Sequence, residues 1–118
     1  MADLSSPRPG LDVASGLPRV AGNKKLYLKL LRMVARDVPQ TKEKLQNAVM
    51  SGKVDEVREL AHSLKGSSGN LSITAVQAAA MELESAAKIE DIPSMVAHLA
   101  ALETALDEFA AVVATVED

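Results

Sequence analysis

The sequence predicts an all-α helical bundle, and three of its features support that fold class. Hydrophobic residues fill 47% of the 118 positions, but aromatic residues fill only 2%, supplied by Tyr27 and Phe109. A core of Leu, Val, Ala and Met favours closely packed helices over sheets, which are rich in β-branched and aromatic residues. Apolar residues also recur at helical spacing between short turn-forming segments. The chain length fits a single domain.

The first ten residues, MADLSSPRPG, are rich in Ser, Pro and Gly. This composition opposes regular structure and predicts a flexible tail or the end of a linker over residues 1–10. The helical domain is therefore expected to occupy residues 11–118, with a short turn of helix near its start, around residues 12–15.

The first long helix is predicted to begin after Asn23, a residue type that caps helix N-termini well. Its apolar residues at helical spacing are Leu26, Leu30, Met33 and Val34. Pro39 is expected to break this helix or to start a new one, because proline has no amide hydrogen to donate. A second helix with Leu45, Ala48 and Val49 would then end at Ser51 and Gly52.

Three more helices are predicted over residues 54–68, 74–88 and from Pro93 to about residue 115. The residues expected to face inward are Val57, Leu60, Ala61 and Leu64 in the first, Val76, Ala79, Ala80, Leu83 and Ala87 in the second, and Val96, Leu99, Leu102, Leu106 and Phe109 in the last. Because the connections between these helices are short, neighbouring helices are expected to run antiparallel in an up-and-down bundle.

Charge and composition exclude several classes of function. The formal net charge is −3 and the isoelectric point is near 5.4, opposite in sign to a nucleic-acid-binding surface. The chain contains no Cys, which excludes disulfides and thiolate chemistry and agrees with a reducing cytoplasm. No uncharged apolar run is long enough to cross a membrane, so direct membrane insertion is not expected.

The helix predicted over residues 54–68 carries an unusual polar face, formed by Glu59, His62, Lys65, Gly66 and Gly69. A Gly inside a helix costs about 1 kcal/mol relative to Ala, and this chain is otherwise rich in Ala. Gly66 either keeps the approach to the His62 imidazole open for another protein, or allows two helices to pack closely. Its position one turn after His62 and beside Lys65 favours the open approach. His98 has no comparable neighbours and is interpreted as an ordinary surface histidine.

An exposed imidazole beside an ammonium group fits phosphoryl transfer. Neutral imidazole is a competent nucleophile near pH 7, and the Lys65 ammonium can neutralise a phosphoryl group that carries about −1.5 to −2 charge. One ring nitrogen must keep its proton so that the other can attack. A carboxylate on the adjacent helix would accept that proton in a hydrogen bond, and either Glu84 or Glu82 could supply it.

The segment AHSLKGSSGNL, residues 61–71, resembles the signature of histidine phosphotransfer (HPt) domains of two-component phosphorelays. The upstream segment GLPRVAGNKKLYLKLL and the downstream segment AAAMELESAAK are similar to the corresponding parts of HPt domains at the C-terminal ends of hybrid sensor kinases. One departure concerns the loop after this motif. The family commonly has Gly after the motif's Leu, whereas here Leu71 is followed by Ser72, which leaves the loop conformation open.

The resemblance implies a four-helix bundle with an additional N-terminal helix, and it implies a role for each site residue. His62 would be phosphorylated, Lys65 would neutralise the phosphoryl charge, and Gly66 and Gly69 would leave the face open for a partner. Glu84, in preference to Glu82, would orient His62 through a hydrogen bond.

The implied partners are receiver domains of a hybrid sensor kinase and of response regulators, with which this chain would exchange phosphoryl groups in the cytoplasm as a monomer. It would act as a phosphohistidine carrier, either alone or as the C-terminal domain of a membrane-bound kinase. The sequence lacks a phosphate-binding loop and is too short for a kinase domain, so no autonomous kinase activity is expected. No cofactor is expected, because any Mg²⁺ would belong to the receiver.

Two other functions remain open from the sequence. A non-catalytic helical adaptor would account for the bundle and its acidic surface, but would leave the face around His62 as a coincidence. Glu59 and His62 also form half of the Glu-x-x-His signature of di-iron carboxylate bundles. That site requires a second such pair, and His98 is preceded by Met95 where the pair needs Glu.

Overall fold

The computed structural model describes residues 8–116, and within them the chain forms an antiparallel four-helix bundle with a short N-terminal helix. The elements are α1 (Val13–Gly16), a 3-10 turn (Leu17–Val20), α2 (Lys24–Met50), α3 (Val54–Asn70), α4 (Thr74–Lys88) and α5 (Ile92–Ala114). Helix α3 packs on α4, α4 on α5, and α5 on α2, and α2 also contacts α3. The predicted all-α, up-and-down fold with an additional N-terminal helix is confirmed.

The predicted N-terminal tail lies mostly outside the described residues, since only its last three residues are included. These three pack on the bundle. The Gly10 carbonyl accepts a hydrogen bond from the Ala75 amide at 3.3 Å, and Leu11 is buried. Residues 8–11 therefore run against the start of α4.

The predicted break at Pro39 is wrong, because α2 is one continuous helix of 27 residues. Pro39 is exposed, so its ring lies on the solvent side, while Val38 and Leu45 are buried in the core. The second half of α2 is also held to α5 by the Lys42–Asp107 ion pair at 3.0 Å. Core packing on both sides of Pro39 offsets the one hydrogen bond that proline cannot donate.

The predicted buried face of α2 is also partly wrong. Leu26 and Met33 are exposed, and the core instead takes Tyr27, Leu31 and Val38. In α5, Met95 is buried while Val96 is exposed. Both helices have apolar residues on two adjacent faces, and the neighbouring helices decide which of these faces is covered.

Ser72, in the connection between α3 and α4, takes the left-handed backbone conformation with φ of 54°. This is the position at which the resemblance would place a Gly, whose backbone tolerates this region without strain. The Ser72 hydroxyl donates to Ser15 Oγ at 3.0 Å, and its carbonyl accepts from the Asp12 amide at 2.9 Å. Contacts with the N-terminal segment thus support the conformation that Gly would adopt freely.

Tyr27 joins three parts of the chain at the same end of the bundle. Its side chain is fully buried, and its hydroxyl donates to the Leu71 carbonyl at 2.5 Å. A Cβ on Gly16 would lie only 2.6 Å from Tyr27 Cζ, so the N-terminal helix passes directly over the ring. Tyr27 therefore fixes α1 and the α3–α4 connection against α2.

The stability of the protein is expected to depend on Tyr27 above pH 10. Burial, with a smaller effect from the nearby Asp12 carboxylate, raises the pKa of Tyr27 from 10.0 to about 12. The neutral phenol is favoured in the folded state, so its stabilising contribution is complete below pH 10 and is lost as the pH rises through about 12. Denaturant unfolding of wild type and Tyr27→Phe between pH 9 and 12 measures this loss.

Tyr27→Phe is expected to be less stable than wild type by about 1 kcal/mol at neutral pH, because one hydrogen bond is lost. The difference between the two proteins should shrink as the pH rises above 10, since only wild type loses the stabilising contribution of the phenol. Equal slopes for the two proteins over this pH range would contradict the role of Tyr27.

Candidate functional site

His62 lies in the middle of α3 and is accessible to solvent, with 69% of its side chain exposed. Helix α3 begins with Asp55 and Glu56 in its first turn, where carboxylates interact favourably with the helix dipole. Its buried side is formed by Val57, Ala61 and Ser68. His62 follows Ala61 directly and so projects from the side of α3, next to α4.

Glu84 of α4 is the residue that the structure brings to His62. Its carboxylate is nearly buried, with 6% of the side chain exposed. One oxygen, Oε2, lies 2.7 Å from His62 Nδ1, and the other, Oε1, accepts from Lys65 Nζ at 2.6 Å. Glu82 is exposed. The structure therefore brings His62, Lys65 and Glu84 together, and a single carboxylate contacts both of the other side chains.

The charge of Glu84 determines which nitrogen of His62 carries the proton. The hydrogen bond from Lys65 lowers the pKa of Glu84, and the hydrogen bond from His62 adds to this effect against the opposing effect of burial. An ionised carboxylate can only accept hydrogen bonds, so His62 Nδ1 must be the donor. In neutral imidazole the other nitrogen, Nε2, then has a free lone pair. The ring is thus fixed in the tautomer whose exposed nitrogen is nucleophilic.

Lys65 is half-buried and lies one turn after His62 on the same side of α3. Its ammonium group carries three N–H donors, of which one is directed at Glu84 Oε1. Through the shared Glu84 carboxylate, the ammonium is held near His62. The arrangement offers a nucleophilic nitrogen beside a fixed positive charge, which suits attack on a phosphoryl group.

Gly66 and Gly69 have different surroundings, although the sequence grouped them on one open face. Leaving aside the neighbouring residues of α3, no described atom lies within 4 Å of the position that a Cβ on Gly66 would take. Close helix packing therefore does not explain Gly66. A Cβ on Gly69, by contrast, would lie 2.8 Å from the side-chain nitrogen of Gln77 in α4. Sequence reasoning missed Gln77, which the register of α3 against α4 brings to Gly69.

Gly66→Ala is expected to raise the free energy of unfolding by about 0.5–1 kcal/mol, because Ala favours the helix and its methyl group meets open space. Gly16→Ala is the contrasting variant, and it should lower stability by about 1–3 kcal/mol, since the new methyl group would overlap the Tyr27 ring. Urea denaturation of both variants measures the two effects. A destabilised Gly66→Ala protein would restore the packing explanation for Gly66.

The other sequence candidates do not assemble into a second site. His98 is half-buried in α5, and Glu59 is exposed on α3. Over residues 8–116, no group of three or more His, Asp or Glu side chains is arranged to hold a metal ion. The di-iron arrangement considered for Glu59 and His62 is therefore not formed by this part of the chain. None of the described helices is long and apolar enough to cross a membrane.

Comparisons of the chain with protein-family models and with solved structures both found matches. A family model for the Hpt domain matches residues 29–112. The HPT domain of an Hpt sensor hybrid histidine kinase from Shewanella has 24% sequence identity and a TM-score of 0.77, with 89% of this chain and 91% of that chain covered. Histidine-containing phosphotransfer protein B from Pseudomonas aeruginosa PAO1 has 22% identity and a TM-score of 0.81, with coverages of 92% and 94%. No curated protein matches the chain significantly.

Proposed function

The chain belongs to the histidine phosphotransfer (Hpt) domain family, whose members carry phosphoryl groups in phosphorelays, and we propose that His62 is its phosphorylated residue. The observation that carries this proposal is the contact between the buried Glu84 carboxylate and His62 Nδ1, at 2.7 Å. This contact leaves Nε2 as the nucleophile on a side chain that is mostly exposed. A partner can therefore deliver a phosphoryl group to it without any rearrangement of the bundle.

The proposed reaction begins with an aspartyl phosphate on a receiver domain. The Nε2 lone pair of His62 attacks phosphorus, the N–P bond forms, and the P–O bond to the receiver's aspartate breaks, which releases that aspartate as a carboxylate. Because Nδ1 keeps its proton, positive charge develops on the imidazole ring during the attack. Glu84 is already in place to stabilise that charge. The reverse reaction passes the phosphoryl group to the aspartate of another receiver.

Lys65 is proposed to stabilise the phosphoryl group while it is transferred. Its ammonium is anchored by Glu84 on the side of α3 that carries His62. A cation at this position offsets the negative charge of the phosphoryl oxygens, and most of the catalytic effect in such transfers comes from positioning and charge. Gly66, beside it, is proposed to leave room for the partner's acidic pocket.

The partners that we propose are the receiver domains of a hybrid sensor kinase and of response regulators, engaged in the cytoplasm by a monomeric carrier. In this proposal His62 carries the phosphoryl group, Lys65 neutralises its charge, and Glu84 orients His62. We propose that this chain contributes no metal to the reaction, and that Mg²⁺ is held by the receiver's own carboxylates.

Phosphoryl transfer from a panel of phosphorylated receiver domains tests the proposed function. We expect label to appear on this chain, to be lost in acid and to be retained in alkali, as is typical of a phosphohistidine. Labelling should occur without ATP, because the receiver supplies the phosphoryl group. An acid-stable product, or no label from any active donor in a broad panel, would contradict the proposal.

A further inference from the structure

The surface between α3 and α4 continues from His62 toward the connection that joins the two helices. His62 pairs with Glu84, and Gly69 lies against Gln77, so these two contacts fix the antiparallel register of the helices. Met81 lies four residues after Gln77 and three before Glu84, and therefore on the same side of α4. It is level with Lys65 and Gly66, between the two contacts. We call the surface formed by Gly66, Gly69, Gln77 and Met81 the α3–α4 seam.

The seam is uncharged, whereas the surface on the other side of His62 is not. Between Gly66 and Met81 the sequence contains no charged residue, although 25% of the whole chain is charged. Lys65, at the edge of this run, has its charge directed inward to Glu84. Toward the start of α3, Asp55 and Arg58 form an exposed ion pair at 3.5 Å. Toward the α3–α4 connection a partner therefore meets uncharged residues over positions 66–81, which exposed Glu82 borders beside Met81.

Met81 is the large apolar side chain of the seam, and 48% of it is exposed. The cores of protein interfaces are depleted of charged residues and enriched in Met, which adapts its shape to a partner. Specific interfaces of ordinary size bury about 800 Å² on each partner, far more than one histidine provides. A receiver that reaches His62 must therefore cover one of the adjoining surfaces.

We propose that the α3–α4 seam is the core of the receiver-docking surface and that Met81 is its apolar anchor. This inference rests on the proposed function, because it assumes that the partner brings a phosphoryl group to His62. The partner that fits is a receiver whose surface beside its phosphorylated aspartate is apolar and uncharged. Gly66 leaves open space where a side chain would lie, so that this surface can approach Met81.

Transfer kinetics of Met81→Glu and Met81→Lys test the docking surface, with Met50→Glu as the matched control. Met50 is the last residue of α2, at the opposite end of the bundle from Gly69 and Gln77, and it is 85% exposed. The donor is the phosphorylated receiver that labels wild type fastest in the panel described above. Phosphoramidate, a small donor that needs no docking surface, measures the intrinsic reactivity of His62 in each variant.

Both Met81 variants are expected to lower kcat/KM for the receiver by about tenfold or more, mainly through KM, because a charge would be buried at the interface core. Their labelling by phosphoramidate and the kinetics of Met50→Glu should stay within about twofold of wild type. Met81 variants that match wild type with the receiver would overturn the proposed docking surface. So would a loss with Glu but not with Lys, since that result indicates repulsion by an acidic partner.

The design separates failure of the docking surface from failure of the proposed function. If wild type accepts phosphoryl groups on His62 from both donors and the Met81 variants behave like wild type, the docking surface is wrong and the function stands. If neither donor labels His62 in wild type, the proposed function itself is wrong, and the docking surface fails with it.

Discussion

His62→Gln is expected to accept no phosphoryl group from any receiver, while its free energy of unfolding stays within about 0.5 kcal/mol of wild type. Glutamine has no ring nitrogen with a free lone pair, so it cannot form the N–P bond. Its stability should change little because His62 is mostly exposed and belongs to no part of the core. Transfer from a labelled receiver, followed by denaturant unfolding of the same samples, measures both quantities.

His98→Gln is the matched control, since His98 is the second of the two histidines in the chain. This variant should be labelled like wild type, and its label should have the same stability in acid and alkali. Label that persists on His62→Gln, or disappears from His98→Gln, would assign the phosphoryl group to another residue. An unfolded His62→Gln protein would contradict the description of His62 as an exposed side chain.

Glu84→Ala is expected to slow phosphoryl transfer by about a hundredfold and to lower stability by about 1–3 kcal/mol. Without the carboxylate, the imidazole is no longer held with its proton on Nδ1, and the Lys65 ammonium loses its partner. Part of the loss is therefore in the reactivity of His62 and part is in the packing of α3 on α4. Single-turnover transfer rates and urea unfolding separate the two effects.

Glu84→Gln should keep much of the transfer rate, because its amide oxygen can still accept the Nδ1 hydrogen bond. Its stability relative to wild type should also depend on pH. The pKa of Glu84 is lowered in the folded state, so the carboxylate's stabilising contribution is complete above pH 4.5 and is lost as the pH falls through the lowered value. If Gln and Ala slowed transfer equally, the orienting hydrogen bond would not be the cause.

Much of the fold could be predicted from local sequence signals, since residues 74–88 form α4 as expected and Asn23 caps α2. The main error concerned Pro39. A proline inside a helix has a known local penalty, but whether packing offsets it depends on helices that lie far away in the sequence. Residues of α5 that contact the second half of α2 supply that offset, and no pattern around Pro39 reveals them.

The candidate site could likewise be predicted where its residues are close in sequence, but not where they lie on different helices. His62, Lys65 and Gly66 are close in sequence and share one helix, so their spacing was sufficient to group them. The residues alone left Glu82 and Glu84 as equal candidates, because the choice depends on the register of α4 against α3. Gln77 and Met81 were not identified for the same reason. Their closeness to the site can be inferred only once the His62–Glu84 contact fixes the register of the two helices.

The Glu84–His62 contact joins two helices, and this makes reactivity a property of the folded bundle. In an unfolded chain, or one in which α4 has separated from α3, the imidazole would exchange freely between its tautomers and lose its neighbouring charges. Local opening of this kind occurs in all proteins with its own free energy. Transfer through His62 is therefore expected to slow whenever α4 separates from α3, because the orienting carboxylate leaves with α4.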